Sequence, residues 1–241
     1  MLQPELTNSQ DPIMPRLQGL DAFAGSLSQK VYQTLRAAIL SMAYAPGEIL
    51  RKPEICEELG VSRSPVSDAV ARLAAEGLVD VIPQAGTYVA RFSMAEIREG
   101  AFLREAIELQ AVEMVATMIT EDQLVLLRRN LTVQAALLGD GDVAGFYKLD
   151  GEMHDMIRGF TGFRKLSLVA DTAWAHVDRA RQLMLPVLGR IEATLLEHRV
   201  ILNALEARDP VAARAAMRVH LRKLVTYLEP LERSHPEFFN P

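Results

Sequence analysis

Four side chains in the second half of this chain have the types and spacing to bind a metal ion. Asp150 and His154 lie four positions apart, which puts them on one face of a helix. His198 and His220 fall in two later helical stretches. One carboxylate with three imidazoles suits a divalent cation and leaves coordination positions open for water or a small acid. Spacing alone does not bring the four together. An Asp–His pair at this interval is also a common surface ion pair, and histidines on separate helices need not meet.

A second constellation points to DNA. Leu59-Gly60-Val61-Ser62-Arg63-Ser64-Pro65-Val66 reads as the turn of a helix-turn-helix and the start of a recognition helix. Gly60 can close the first helix in the left-handed conformation. Ser64 suits the N-cap of the next helix and Pro65 its first position. Arg63 stands at that helix's mouth, within reach of a phosphate or a guanine edge.

The elements that must carry these residues follow from periodicity. Leu27 to Met42 has helical spacing at Val31, Leu35, Ile39 and Leu40. Pro53–Leu59 is a second helix with Ile55, Cys56 and Leu59 inward, and Ser64–Glu76 a third with Val66, Val70, Leu73 and Ala74 inward. Leu78–Ile82 and Thr87–Ala90 read as strands joined by a turn at Pro83–Gly86. Three helices and a hairpin make a winged helix-turn-helix, whose third helix enters the major groove.

From residue 94 onward the pattern is helical. Met94–Ile119 carries Ile97, Phe102, Ile107, Leu109, Val112 and Val115 as its apolar positions. Further helices run from a cap at Thr120 to about Leu138, from Val143 to about Phe160, from Phe163 to Leu183, and from Val187 to Ala207. The last starts at Asp209-Pro210 and ends near Leu228. Six helices with short connections predict an antiparallel bundle. The chain is therefore mainly α. A flexible arm (1–26) precedes the winged helix-turn-helix (27–92), and a helical domain (94–232) is followed by a tail (233–241).

Composition narrows the partners. The 241 residues are 49% hydrophobic and 24% charged, and the net charge is −5. Residues 26–92 hold seven basic and seven acidic side chains, so affinity for DNA must come from a local patch, which dimerisation would double, rather than overall charge. No apolar run approaches the roughly 18 residues of a membrane span, and the N-terminus lacks the order of a signal peptide. A single cysteine, Cys56, reads as a small apolar residue and suits the cytoplasm. There is no His-Glu-x-x-His, no nucleophile motif and no Gly-rich phosphate loop, and one Glu232-x-x-His235 lies in the tail. A metal-dependent enzyme in a helical bundle and a non-DNA-binding interaction protein are the alternatives to a regulator.

Residues 31–92 resemble the DNA-binding domain of GntR-family bacterial transcription regulators. The resemblance rests on Val31-Tyr32, Leu35-Arg36, Pro46-Gly47-Glu48, Leu59 through Val66, Arg72-Leu73, Glu76-Gly77-Leu78-Val79, Gly86 and Val89. It implies DNA contacts from Ser62, Arg63, Ser64, Ser67, Arg51, Lys52 and Gly86. Three positions depart from the family pattern: Ser67 stands where Arg is usual, Pro53 at a usually basic position, and Ala85 before the wing glycine. They imply a different or weaker operator preference.

Residues 98–226 resemble the ligand-sensing FCD domain of the FadR-like branch. Asp150-Gly151-Glu152-Met153-His154, Glu197-His198-Arg199, Arg218-Val219-His220 and the Arg104/Glu108 pair carry that likeness. Phe163 departs from it, since Asn commonly follows the glycine. The resemblance implies a metal at Asp150, His154, His198 and His220, with zinc, nickel and manganese not distinguished. It also implies a small organic-acid or sugar-acid effector held by Arg104, Arg179, Arg181 and His176. Only one of Arg179 and Arg181 is expected to point inward, because residues two apart on a helix face apart. The expected protein is a homodimeric repressor on a palindromic double-stranded operator.

Overall fold

A computed structural model describes residues 16–166, 169, 174–183 and 189–240. They form two units that divide between Ala90 and Arg91.

In the first unit, α1 (Leu27–Leu40) starts at a reciprocal cap in which Ser26 and Gln29 satisfy each other's backbone N–H. Its Val31, Leu35 and Ile39 are buried, as are Val66, Val70 and Leu73 of α3 (Arg63–Ala75), which packs against it. Between them, α2 (Lys52–Leu59) ends at Gly60, whose φ of 63° is the left-handed turn expected there. The N-cap of α3 is Ser62 rather than Ser64, so Arg63 is the first helical residue and Ser64 and Pro65 lie inside the first turn. Pro65 is accommodated because the first N–H groups of a helix have no intrahelical partner. The wing pairs β1 (Val79–Ile82) with β2 (Gly86–Val89), with Val79 opposite Val89 and Ile82 opposite Gly86.

The segment before α1 is not wholly a loose arm. Leu17 is buried, its N–H donates to Glu58 Oε1 at 3.1 Å, and Arg16 pairs with Glu48. Residues 1–15 lie outside the described set. Cys56 is half-buried rather than a core residue.

The second unit contains α4 (Met94–Met118), α5 (Glu121–Asp140), α6 (Val143–Phe160), α7 (Ala175–Gln182), α8 (Arg190–Glu206) and α9 (Pro210–Ser234). Thr120 and Gln123 form a reciprocal cap on α5, Gly141 ends it at φ 72°, and Asp142 and Asp209 cap α6 and α9 through their carboxylates. Residues 167, 168 and 170–173 of the stretch read as a helix from Phe163 to Leu183 lie outside the described residues, as do Pro186 and Val187; the C-terminal part of the stretch is α7. Helix α9 runs on through Pro230, six residues past the end read at Leu228. The core joins Leu109, Val112 and Val115 of α4 to Leu127, Met153, Ile157, Ile201, Leu205 and Met217. Phe102 is not part of it. The buried face of α4 is Ile97, Gly100, Arg104 and Glu108, which leaves Phe102 73% exposed. No helix among the described residues is long and apolar enough to cross a membrane.

Removing one half of the α5 cap tests this account. Thr120→Ala should lower unfolding free energy by about 1 kcal/mol in a urea titration, the usual worth of an N-cap hydroxyl.

Candidate functional site

Three helices bring the metal-type side chains together. Asp150 and His154 project from α6, His198 from α8 and His220 from α9, and their ligand atoms lie within 4.8 Å of one another. All four residues are buried. Burial pushes the three imidazoles below their ordinary value, so they are neutral at pH 7.

Their outer nitrogens decide which way the lone pairs face. His220 Nδ1 meets Glu197 Oε2 at 2.8 Å, His198 Nδ1 meets Gln134 Oε1 at 2.9 Å, and His154 Nδ1 meets Glu108. Each partner is an acceptor, so each Nδ1 must carry the proton and each Nε2 turns a lone pair inward. Gln134 is oriented by its own contacts: its Nε2 donates to Asn130 Oδ1 at 2.7 Å, leaving Oε1 for the histidine. The inward atoms crowd. His154 Nε2 and His220 Nε2 are 3.1 Å apart, and His198 Nε2, buried without a hydrogen-bond partner, lies 3.2 Å from Asp150 Oδ1. Lone pairs at these separations repel, and a cation shared among them reverses the sign. The donor set therefore fits a divalent metal.

Carboxylates and arginines surround the cluster. Glu108 accepts from Arg104 Nε at 2.8 Å and Arg158 Nη1 at 3.2 Å. Burial works against its ionisation, but His154 and the two guanidiniums outweigh this and hold it well below the carboxylate range. Glu197 receives both arms of Arg190 at 2.9 Å. Burial opposes its charge too, yet bonds from His220 and Arg190 hold it at about 2.

Beside the cluster is a cavity of about 360 Å³, lined among others by Arg104, Tyr147, His154, Arg158, Trp174, Asp178 and Arg181. That is metabolite-sized. Arg181 pairs with Asp150 and with Asp178. Burial, with Arg104 adding to it, lowers Arg181 to about 9, so it stays charged at neutral pH.

In the first unit the candidate DNA-reading side chains are on the surface. Ser62, Arg63, Ser64 and Ser67 are exposed along the start of α3. Arg51 is exposed at the N-cap of α2 and forms a loose pair with Glu54 at 3.6 Å, and Lys52 is half-buried beside it. Gly86 follows the wing turn at φ 142°.

Comparison with known proteins gives two family matches: "Bacterial regulatory proteins, gntR family" over residues 27–89 and "FCD domain" over residues 99–223. The chain belongs to the GntR family. An HTH-type transcriptional repressor of Escherichia coli, RspR, is 32% identical over 89% of this chain and 94% of its own length. A regulator from an unstable DNA locus of Streptomyces ambofaciens is 34% identical over 87% of this chain and 88% of its own. Among solved structures, E. coli McbR/YncC has the same fold, with a TM-score of 0.76 at 20% identity over 86% of this chain and 99% of that one. This GntR protein is thus a DNA-binding transcription regulator rather than an enzyme.

Within this GntR chain the effector candidates separate. Arg104 and Arg181 line the cavity. Arg179 does not: it is fully buried with its guanidinium 4.5 Å from the centre of the Phe92 ring. His176 lies 3.9 Å from Glu96 and is not among the lining residues. Sequence reasoning missed Gln134, Glu197, Arg190, Arg158 and Trp174. Arg190 and Glu197 are seven apart on one helix face and so were readable in principle. Gln134 carries no local signal, since its partner His198 is 64 positions away.

Arg63→Ala should weaken operator binding by about 1–3 kcal/mol and relax base preference, as for a base-reading arginine. Lys52→Ala should weaken binding to all sequences alike and reduce the salt slope by about 1. Gel-shift titrations at several salt concentrations separate the two; equal behaviour of both variants would remove Arg63 from base contact.

Proposed function

We propose that this regulator is a homodimeric repressor whose hold on a palindromic operator is set by a small organic or sugar acid bound beside a divalent metal. The observation that carries the reading is the set of outward Nδ1 bonds, which turns three imidazole lone pairs toward the place where the Asp150 carboxylate also lies. Asp150, His154, His198 and His220 would hold the metal, and such a metal supplies a Lewis-acidic anchor for one carboxylate of the acid. Arg104 and Arg181, at the cavity wall, supply a fixed positive field for the rest of the anion. Tyr147 and Trp174 give the cavity its apolar and aromatic surface.

DNA recognition rests on α3, with Arg63 and the small hydroxyls of Ser62, Ser64 and Ser67 toward the groove and Arg51 and Lys52 toward phosphates. A two-fold dimer presents two such helices to matching half-sites. An acid releases the operator only if it binds the DNA-free arrangement more tightly than the bound one.

The metal reading is checked by calorimetry and metal analysis after dialysis against zinc, nickel or manganese. One ion per chain is expected. His198→Ala should lose it, and Gln134→Ala should bind 10–100-fold more weakly, the usual effect of removing a ligand's supporting bond. The regulatory reading is checked by footprinting the metal-loaded protein upstream of its own gene and its neighbours. A protected palindrome that is released by an acid of the adjoining pathway is the expected result. Protection unaffected by every such acid would overturn the effector assignment.

A further inference from the structure

Helix α7 is loaded on two faces. Arg181 turns to Asp150 and the cavity, while Arg179, two residues earlier, turns the other way onto the Phe92 ring at 4.5 Å. Phe92 is 1% exposed and also packs against Phe239, with ring centroids 5.5 Å apart. Its backbone is held too. Phe92 N–H donates to Phe238 O at 2.8 Å, and Phe92 O accepts from Asn240 N–H at 2.7 Å, a short parallel bridge to the C-terminal tail. Arg91 Nε adds a bond to Glu237 O at 3.0 Å. On the other side of Arg91, Ala90 N–H donates to Leu78 O at the base of the wing at 3.1 Å. Along the chain, one residue separates a position fixed in the DNA-reading unit from a position seated between α7 and the tail.

We propose that Arg179, Phe92 and Phe239 are positioning residues that form a relay from the cavity to the linker of the reading unit. The inference rests on the metal and anion reading of the cavity. Asp150 is both a proposed metal ligand and the partner of Arg181, so a cation at the cluster competes with Arg181 for that carboxylate. An anion in the cavity competes for Arg181 as well. Either event changes what holds the inner face of α7. An eight-residue helix moves as a unit, so Arg179 on the opposite face moves with it. The seat of Phe92 follows, and with it the backbone bridge from Phe92 to Phe238 and Asn240.

Zn²⁺ alone is a sufficient probe. Hydrogen exchange by mass spectrometry on the full chain, with and without Zn²⁺, reads the linker and tail segments containing Phe92 and Asn240. Their exchange rates should change at least threefold on Zn²⁺ addition. In Arg179→Met and in Phe239→Leu the change should be lost, while Zn²⁺ affinity and stoichiometry in the calorimeter stay as in the parent. Two variants on different elements guard against a folding defect in either, and a purely structural role would not remove a metal-dependent response. Zn²⁺ binding with no change at Phe92 and Asn240, or a full change in both variants, would overturn the relay alone. Absence of Zn²⁺ binding in the calorimeter would overturn the metal reading and the relay with it.

Discussion

The helical unit depends on satisfying three imidazole Nδ1 atoms in a place that water does not reach. An unmade hydrogen bond there costs about 1–3 kcal/mol each. The partners come from three different helices: Glu108 on α4, Gln134 on α5 and Glu197 on α8. Each partner is then held in turn, Glu108 by Arg104 and Arg158, Gln134 by Asn130, and Glu197 by Arg190. The packing of α4, α5, α6, α8 and α9 is therefore fixed at its centre by polar geometry, and the apolar core of Leu109, Met153, Ile201 and Met217 closes around it.

The reading unit works under the opposite constraint, a shortage of cations on its surface. Arg72 lies 3.7 Å over the Tyr32 ring, and both Arg72 and Arg36 pair with Glu76. These guanidiniums serve the fold. What remains at the start of α2 and α3 is Arg51, Lys52 and Arg63 beside three small serines. Such a surface favours shape and short hydrogen bonds over bulk charge, consistent with an acidic chain that still belongs to a DNA-binding family.

Much of this architecture was legible in the sequence because it is local. The periods that place Val31, Leu35 and Ile39, or Leu109, Val112 and Val115, on one helix face need no partner to be read. The Thr120 and Asp209 caps are equally local. The misreadings share a cause. Ser64 before Pro65 has the composition of a cap, but the cap lies two residues earlier at Ser62, just after Gly60 ends α2. Phe102 fits the apolar count of α4, yet the inward positions are taken by the polar Arg104 and Glu108, which the site requires. Arg179 and Arg181 look alike in sequence, and only the packing of α7 tells which faces the cavity.

The bridge between Phe92 and the C-terminal tail also sets an order of assembly. Arg91 and Glu237 are 146 positions apart, so the linker leaves the ribosome long before the residues that seat it. The reading unit has all of its own core partners by Ala90 and is free to fold during synthesis. The seat of Phe92 within the helical unit is completed only when the tail arrives. A chain interrupted between these points would carry a folded reading unit followed by a Phe92 with no Phe238, Phe239 or Asn240 to seat it.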